Sequence, residues 1–286
     1  MMWKESYRLG IDRIDEQHIE LFRMTEELIR AIERRASTEA YQKALGFLKD
    51  YVIYHFADEE QYQASIGYSG LAEHQKEHRE FTSTVLDYEK KLEANGYDLA
   101  TLKDLAGMLT AWLIYHVADT DQKIVDREKA TYGKKNFGQC VELFSESAAE
   151  VMETMAGFDR SNIRLRTVYD HQMQGDVFVE IELVGELRGK AVFGFSKELA
   201  LYLVNTMTMM ELTEIDELVQ SALCELTNIS CGNAASELAQ RRISCDIRPP
   251  VTCDGASCGL GVNGVCIDTT AGGLEVVVLV DHEPSL

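Results

Sequence analysis

The stretch YHFADEEQYQASIGYSGLAEHQKEH, from Tyr54 to His78, contains three of the seven histidines of this 286-residue chain. Within it His55 and Glu59 lie four residues apart, and His74 lies four residues before His78. On an α-helix, residues four apart project from nearly the same face. The run GYSG between the two pairs is typical of a turn. The stretch therefore predicts two helices joined by a short turn, each presenting a pair of potential metal ligands.

The helical pattern extends on both sides of this stretch. Between about Asp15 and Glu128, glycine is confined to a few breaks and apolar residues recur at helical spacing. The pattern predicts helices at about 16–35, 39–65, 70–93 and 98–128. Ser69 and Asp98 are the expected N-caps of the third and fourth helices, because a short side-chain oxygen accepts hydrogen bonds from the free N–H groups of the first turn. Four long helices with short connections are typical of an up-down-up-down bundle.

Two further histidines fall on the remaining helices, His18 on the first and His116 on the fourth, so all five histidines of this half lie on helices. In a bundle, side chains that face inward from four helices meet near one buried point. A lone histidine on a helix is ordinarily a surface residue or a hydrogen-bonded core residue. Several uncompensated imidazoles and carboxylates in one core are costly, however, and a bound metal ion removes that cost. The histidines together therefore predict a metal site inside the bundle.

The donor types narrow the choice of metal. Imidazole and carboxylate suit iron, manganese or zinc, and a thiolate site is excluded here because all seven cysteines lie at or beyond Cys140. Five histidines with two carboxylates are too many donors for one ion and suit two. Two octahedral ions offer about twelve positions, of which five nitrogens, two bridging carboxylates and one shared oxo or hydroxo oxygen fill about eleven. The remaining position is open to a small diatomic ligand.

Four motifs of this half resemble those of bacterial hemerythrins. They are W-x3-Y-x-L-G-I-D-x-I-D-x-Q-H (Trp3 to His18), H-F-x2-E-E (His55 to Glu60), G-Y-x-G-L-x2-H-x2-E-H-x2-F (Gly67 to Phe81) and W-L-x2-H-V-x3-D (Trp112 to Asp121). The resemblance covers roughly residues 1–130. It implies two non-haem iron ions joined by an oxo or hydroxo bridge, and reversible O2 binding at the five-coordinate iron without haem.

The resemblance also assigns roles to individual residues. It implies that one iron is held by His74, His78 and His116, that the other is held by His18 and His55, and that Glu59 and Asp121 bridge the two. Spacing alone does not predict Asp121, which follows His116 by five residues and so lies about 140° further around an α-helix. Two residues depart from the family pattern: Gln63 stands where an apolar Met or Leu is usual, and Ser69 replaces a common proline. A glutamine near the pocket can hydrogen-bond a bound ligand or admit water.

The sequence pattern changes near residue 130, from helical spacing throughout to a mixture of strands and helices. The segment Ala130 to Gly138 is basic and punctuated by glycine, which predicts a first domain at 1–130, a linker at 131–138 and a second domain at 139–286. In the second domain an amphipathic helix near 139–155 precedes strands at 163–169, 176–183 and 189–195, and further helices follow near 197–209 and 214–240. The run GVCIDTTAGGLEVVVLVD predicts two strands joined at the Gly-Gly pair. We expect an α/β or α+β domain, and so a multidomain chain.

One helix of the second domain carries a line of polar residues. Ser221, Glu225 and Asn228 are spaced i, i+4 and i+7, opposite an apolar stripe that runs from Val219 to Leu226. For a bare E-x-x-N tetrad, a solvated helix face is the ordinary interpretation. Here S-x3-E-x2-N is followed by I-x2-G-N and by a Pro-Pro pair, and it is preceded by G-E-L-x-G-K-A-V-F-G-F-S-x-E-L-A. These motifs resemble the CheX/CheC/FliY family of chemotaxis phosphatases over about 139–286.

That resemblance implies hydrolysis of the aspartyl phosphate on a CheY-like receiver domain of a response regulator. The reaction needs a water molecule held in line with the phosphorus and neutralised charge. An amide can orient water by accepting one hydrogen bond and donating another, which is the role expected for Asn228. Glu225 would pair with the receiver's lysine and fix docking. Ser221, whose position tolerates variation in the family, is either a third catalytic residue or an ordinary serine of the helix surface. Mg2+ would belong to the receiver, and the family implies a homodimer through sheet edges.

The composition excludes other classes of partner. A net charge of −20 argues against nucleic acid, whose phosphates are bound by clustered Lys and Arg, and against anionic lipid. No apolar run approaches the roughly 18 residues of a membrane span, and the N-terminal stretch lacks the layout of a secretory signal. We therefore expect a cytoplasmic protein with no membrane contact.

Together these features predict an O2 or redox sensor whose second domain dephosphorylates a response regulator. Two alternatives remain open. The protein can be an O2 store or carrier whose second domain binds a response regulator without catalysis. It can also be a diiron enzyme of oxidative or NO chemistry, although O2-activating bundles generally use more carboxylates.

Overall fold

The structure is a computed structural model that describes residues 2–125, 140–241, 243–254 and 262–280. The chain divides into two compact units, Met1–Gly133 and Lys134–Leu286. The predicted linker at 131–138 lies outside the described residues. Every helix in the described part of the chain is too short or too polar to cross a lipid bilayer.

The N-terminal unit contains the four long helices that the apolar spacing predicts. They are α1 (Asp12–Glu33), α2 (Thr38–Ser65), α3 (Leu71–Asn95) and α4 (Leu99–Tyr115), and α4 is followed by a π-helical turn (His116–Thr120) and by α5 (Gln122–Val125). The predicted fourth helix, at 98–128, is therefore interrupted at its C-terminal third. The bundle itself confirms the predicted fold of this half.

Side chains cap the N-termini of two of the four long helices in the N-terminal unit. Ser37 Oγ accepts a hydrogen bond from the Ala40 N–H at 3.3 Å at the start of α2. Asp98 Oδ1 accepts from the Thr101 N–H at 3.0 Å, which confirms the predicted cap of α4. The predicted cap at Ser69 is wrong, because α3 begins one residue later than expected and Gly70 takes the N-cap position without a side-chain bond.

An N-terminal arm covers one end of the bundle. Trp3 and Tyr7 are buried, and each lies with its ring centroid 5.6 Å from that of Phe22. The arm turns into α1 at Gly10, where φ is +77°, a conformation that favours glycine. The buried carboxylate of Asp15 accepts hydrogen bonds from the Leu9 and Gly10 N–H groups at 2.7 and 3.1 Å. These bonds hold the arm over the first helix.

In its described residues, the C-terminal unit contains one antiparallel sheet and three α-helices. Its elements are α6 (Cys140–Ala156), β1 (Arg164–His171), β2 (Val177–Gly185), β3 (Gly189–Phe195), α7 (Lys197–Thr208), α8 (Glu217–Gln240), β4 (Cys245–Ile247), β5 (Val251–Cys253), β6 (Val262–Thr269) and β7 (Gly272–Val280). The sheet order is β1-β6-β7-β3-β2-β4, and β5 also pairs with β2. The predicted α/β class is confirmed.

The central strand β3 is buried on both faces. Alternate residues of a strand point to opposite faces, and all five residues from Ala191 to Phe195 are buried. Val192 packs with Phe178 and Val277 in a small apolar cluster. The three helices pack against one another and against the sheet.

Two details of this unit differ from the sequence prediction. Strands β4 and β5 were not predicted, because each has only three residues. The turn between β6 and β7 is formed by Thr270 and Ala271, so the prediction of a Gly-Gly turn is wrong. Gly272 instead begins β7 with φ +136°, where a Cβ would collide with the Ser196 hydroxyl at the start of α7. The glycine allows this close approach.

Candidate functional site

All seven residues of the predicted metal centre lie in the interior of the bundle, and none is more than 2% exposed. Three of the long helices and the π-helical turn after α4 supply them: His18 from α1, His55 and Glu59 from α2, His74 and His78 from α3, His116 from the first position of the π-helical turn, and Asp121 from the residue that follows the turn. The two pairs at i,i+4 spacing face the same interior point. The bundle thus brings together every residue that was predicted for this site.

Three imidazoles converge on one carboxylate. His78 Nε2 lies 2.9 Å from His116 Nε2. Glu59 Oε2 lies 3.1 Å from His74 Nε2 and 3.4 Å from His78 Nε2. One donor atom from each of these four residues falls within 4.8 Å of all the others. This spacing fits the coordination of one ion.

A second group of donors adjoins the first. His18, His55 and Glu59 also place one donor atom each within 4.8 Å of one another. Glu59 belongs to both groups. Asp121 also reaches both, since its Oδ2 lies 3.2 Å from His18 Nε2 and its Oδ1 lies 3.1 Å from His116 Nε2. Two carboxylates that each span both groups fit a pair of ions.

The π-helical turn accounts for the position of Asp121. Its N–H donates to the His116 carbonyl oxygen at 2.8 Å, which is an i→i+5 bond. Such a turn contains one residue more than an α-helical turn. Residues five apart therefore come to the same side, and both side chains enter the site. Regular α-helical spacing would turn Asp121 away from His116, and the π-helical turn is the departure from that geometry that brings Asp121 into the site.

Two histidines are held from behind by acidic side chains. His78 Nδ1 lies 2.9 Å from Glu60 Oε1, and Glu60 Oε2 accepts from Gln75 Nε2 at 3.0 Å. His116 Nδ1 lies 3.5 Å from Glu77 Oε2. A carboxylate behind Nδ1 places the proton on that nitrogen and leaves Nε2 free to bind a metal.

His55 is held by an amide rather than by an acid. Its Nδ1 lies 2.9 Å from Gln17 Oε1, and Gln17 Nε2 donates to Asp58 Oδ2 at 2.8 Å. Arg13 Nε lies 3.0 Å from the same oxygen of Asp58. Sequence reasoning missed these supporting residues, although Gln17 and Glu60 stand inside the quoted motifs. Their partners lie on other helices, and helical spacing carries no signal of contacts between helices.

Burial lowers the pKa of three of the imidazoles, whereas at His74 it is opposed by the hydrogen bond with Glu59 and the nearby carboxylates, which raise the pKa. It lowers the pKa of His18, and it lowers the pKa of His55 and His116 well below the usual range, with the neighbouring histidines adding to the effect for the latter two. Burial opposes ionisation of Glu59 as well, but hydrogen bonds from His74 and His78 hold the pKa of that carboxyl well below its usual value. Neutral imidazoles beside an ionised carboxylate are the forms that bind metal ions.

Several buried polar atoms in this region lack a hydrogen-bond partner among the described residues. They are both ring nitrogens of His18, Nδ1 of His74, Oε1 of Glu59, both carboxylate oxygens of Asp121 and both amide atoms of Gln63. A buried polar group without a partner costs roughly 1–3 kcal/mol. A neutral imidazole offers a metal ion only one ring nitrogen, so bound ions would satisfy one nitrogen of His18 and the carboxylate oxygens of Glu59 and Asp121. This donor set fits the non-haem iron that the sequence predicts.

The polar line on α8 is less exposed than a solvated helix face. Ser221 is buried, and Glu225 and Asn228 are half-buried. Burial raises the pKa of Glu225 to about 8, although a hydrogen bond with the Asn228 side chain acts in the opposite direction. The helix begins at Asp216, whose Oδ1 accepts from the Val219 N–H at 3.2 Å. A half-buried carboxyl bonded to an amide is a site suited to a cationic or polar partner group.

Comparison with protein families assigns a different family to each unit. Residues 9–127 match the model of the hemerythrin HHE cation binding domain. Residues 177–270 match the model of the chemotaxis phosphatase CheX.

Similar proteins cover the N-terminal unit almost completely. A bacteriohemerythrin of Clostridium acetobutylicum is 30% identical over 129 residues, which are 44% of this chain and 98% of that protein. A bacteriohemerythrin of Stenotrophomonas maltophilia is 31% identical over 46% of this chain and 82% of its own length. A myohemerythrin of Riftia pachyptila is 34% identical over 43% of this chain and 88% of its own length.

Solved structures similar to this chain include chemotaxis proteins. CheX from Vibrio vulnificus is 24% identical, with a TM-score of 0.43, and the match covers 50% of this chain and 99% of that one. A chain of the CheX–CheY–BeF3–Mg2+ complex from Borrelia burgdorferi is 23% identical, with a TM-score of 0.43, over 50% of this chain and 97% of that one. Through its N-terminal unit the chain belongs to the hemerythrin family, and it joins that domain to a C-terminal CheX domain.

Proposed function

We propose that this protein is a cytoplasmic O2 or redox sensor of chemotaxis or related two-component signalling. In this proposal the N-terminal unit binds O2 reversibly at two non-haem iron ions, and the C-terminal unit dephosphorylates a CheY-like response regulator. The observation that carries the proposal is the pair of donor groups that share Glu59 and Asp121 inside a hemerythrin bundle, on the same chain as a CheX domain.

The distances between donor atoms indicate which residues would bind each ion. His74, His78 and His116 would hold one ion, His18 and His55 the other, and Glu59 and Asp121 both. The iron pair supplies reversible O2 binding when it is present. The group with two histidines has fewer protein donors, so its ion is the one that can accept an exogenous ligand.

Aromatic rings enclose the histidines on the side of α3 and α4. Phe56 stacks on His78 with 3.6 Å between ring centroids, and Trp112 stacks on His116 at 4.2 Å. The ring centroid of Trp3, in the N-terminal arm, lies 6.5 Å from that of His18. Stacked rings restrict the motion of the imidazoles and limit the entry of water. Both effects support reversible ligand binding rather than turnover.

In the C-terminal unit Asn228 would orient the attacking water, because its amide both accepts and donates hydrogen bonds. Glu225 would pair with the lysine of the receiver, and Ser221 would flank the two. Mg2+ would be bound by the receiver. Because burial raises the pKa of Glu225 to about 8, an approaching ammonium group would favour the ionised form and release a proton on docking.

The test is the lifetime of a phosphorylated CheY-type receiver in the presence of the full-length, iron-loaded protein. The measurement is made under anaerobic reducing conditions and again in air, with the receiver alone as reference in each gas. We expect faster dephosphorylation in one state than in the other, and loss of the acceleration in Asn228→Ala. Equal acceleration in both states would reject the sensor. No acceleration in either state would favour an O2 store or carrier with a response-regulator-binding domain.

A further inference from the structure

Gln63 lies on the same face of α2 as two residues of the candidate metal centre. His55, Glu59 and Gln63 follow one another at intervals of four residues, so their side chains project along one side of the helix. All three are buried, and Gln63 has no exposed surface. The amide therefore lies on the interior face of α2, one helical turn beyond the shared carboxylate.

Neither end of this amide is satisfied within the described residues. Gln63 Nε2 and Oε1 are both buried and both lack a hydrogen-bond partner there. A leucine or methionine would fill a similar volume without this cost, so the amide is unfavourable for the bundle alone. Glu59 and Asp121 also have buried oxygen atoms without a hydrogen-bond partner among the described residues. Such unsatisfied polar atoms are therefore concentrated at the candidate metal centre.

We propose that Gln63 binds the exogenous ligand of the metal centre and selects small ligands that form hydrogen bonds. The amide nitrogen donates to an anion such as azide or hydroxide, and the amide oxygen accepts from a ligand that carries a proton. This inference rests on the proposed metal site. It adds a specificity-determining residue to that site, one that favours ligands able to form a hydrogen bond once bound over ligands that form none.

The first measurement is the dissociation constant of azide for the oxidised, iron-loaded, full-length protein, followed by visible absorption. Gln63→Leu and Gln63→Met remove the amide while keeping a similar volume. Gln61→Leu makes the same change on the exposed side of α2 and is the matched control. Loss of one hydrogen bond to a charged ligand is expected to weaken azide binding about tenfold in both Gln63 variants and to leave the control unchanged.

The second measurement needs no metal and no ligand. In the metal-free protein, Gln63→Leu removes an unsatisfied buried amide, so its melting temperature is expected to rise above that of the wild type. Gln61→Leu is expected to leave the melting temperature unchanged. Tryptophan fluorescence follows this transition, because both tryptophans, Trp3 and Trp112, belong to the N-terminal unit.

Three outcomes would overturn the inference. Azide affinity within about twofold of the wild type in both Gln63 variants would show that the amide does not contact the ligand. A lower melting temperature of metal-free Gln63→Leu would show that the protein itself satisfies the amide. Loss of iron from both variants would show that the amide helps to retain the ions rather than to select their ligand. Iron content of the wild type separates these results from failure of the proposed function, since a wild type without iron would reject the metal site itself.

Discussion

The N–H of Asp121 donates to the carbonyl oxygen of His116 at 2.8 Å, and this i→i+5 hydrogen bond brings both side chains into one site. Their side chains then approach to 3.1 Å between Asp121 Oδ1 and His116 Nε2. In a regular α-helix the two residues would diverge by about 140°. The π-helical turn thus allows one segment of the chain to supply both the imidazole of His116 and the carboxylate of Asp121. That carboxylate lies close to donors of both groups.

Asp121→Asn tests the role of that carboxylate. The amide keeps the size of the side chain but removes the negative charge that would compensate two cations, so we expect the iron content of purified full-length protein to fall from two per chain to one or less. Iron analysis on protein expressed with added iron measures the change. Asp50→Asn, an exposed change on α2, is the control and should retain wild-type iron. Full iron loading in Asp121→Asn would show that the negative charge of Asp121 is not needed to hold the two ions.

Glu60→Ala tests whether the carboxylate bonded to Nδ1 of His78 helps the protein to retain iron. Glu60 binds His78 through Nδ1 at 2.9 Å, and loss of such a partner typically weakens metal binding about 10- to 100-fold. We expect faster loss of iron to a chelator, while the wild-type absorption bands remain as long as iron is bound. Glu60→Gln keeps a hydrogen-bond acceptor, so its rate of iron loss should lie between those of the wild type and of Glu60→Ala. Chelation kinetics identical to the wild type in both variants would exclude a role for Glu60 in iron retention.

The candidate metal centre could be predicted in large part from spacing along single helices. His55 and Glu59, like His74 and His78, share a face because four residues make slightly more than one turn. Asp121 could not be predicted in this way, since the prediction assumes regular α-helical geometry and the π-helical turn departs from it. The resemblance to hemerythrins supplied that residue.

The fold shows the same division between local signals and tertiary contacts. Long helices and strands carry enough apolar residues for their periodicity to be read, and β3 was predicted with its observed bounds. Strands β4 and β5 exist because β2 offers an edge to pair with, which is a tertiary cause that three residues cannot encode. Gly272 was assigned to a turn, whereas it is needed for close packing against Ser196.

Gly46 is an interior position of α2 where stability can be raised. A Cβ at this position would have no atom within 4 Å, so Gly46→Ala introduces no clash. Alanine loses less backbone entropy than glycine on helix formation, and we expect the free energy of unfolding of the bundle to rise by about 0.5–1 kcal/mol. Gly96→Ala is the contrasting variant, because φ is +69° at the end of α3 and alanine is strained there. Denaturation followed by tryptophan fluorescence should show changes of opposite sign.

The raised pKa of Glu225 makes the stability of the C-terminal unit depend on pH. The carboxyl has a pKa of about 8 in the folded chain and an ordinary value near 4.5 when unfolded. Between these values the unfolded state has lost the proton and the folded state keeps it. The unfolded state therefore binds fewer protons, and the free energy of unfolding falls as pH rises, by up to about 1.4 kcal/mol per pH unit from this group.

Glu225→Gln removes this titration and should reduce the loss of stability between pH 5 and about 8. The difference in unfolding free energy between variant and wild type is expected to grow across that interval and to level off above it. Because both tryptophans lie in the N-terminal unit, fluorescence reports that unit alone, and far-UV circular dichroism adds the transition of the C-terminal unit. Glu217→Gln, at an exposed position in the first turn of α8, is the matched control. If Glu225→Gln and Glu217→Gln follow the wild-type profile equally, the Glu225 carboxyl is ionised in the folded chain at neutral pH, and docking on a cation would then release no proton.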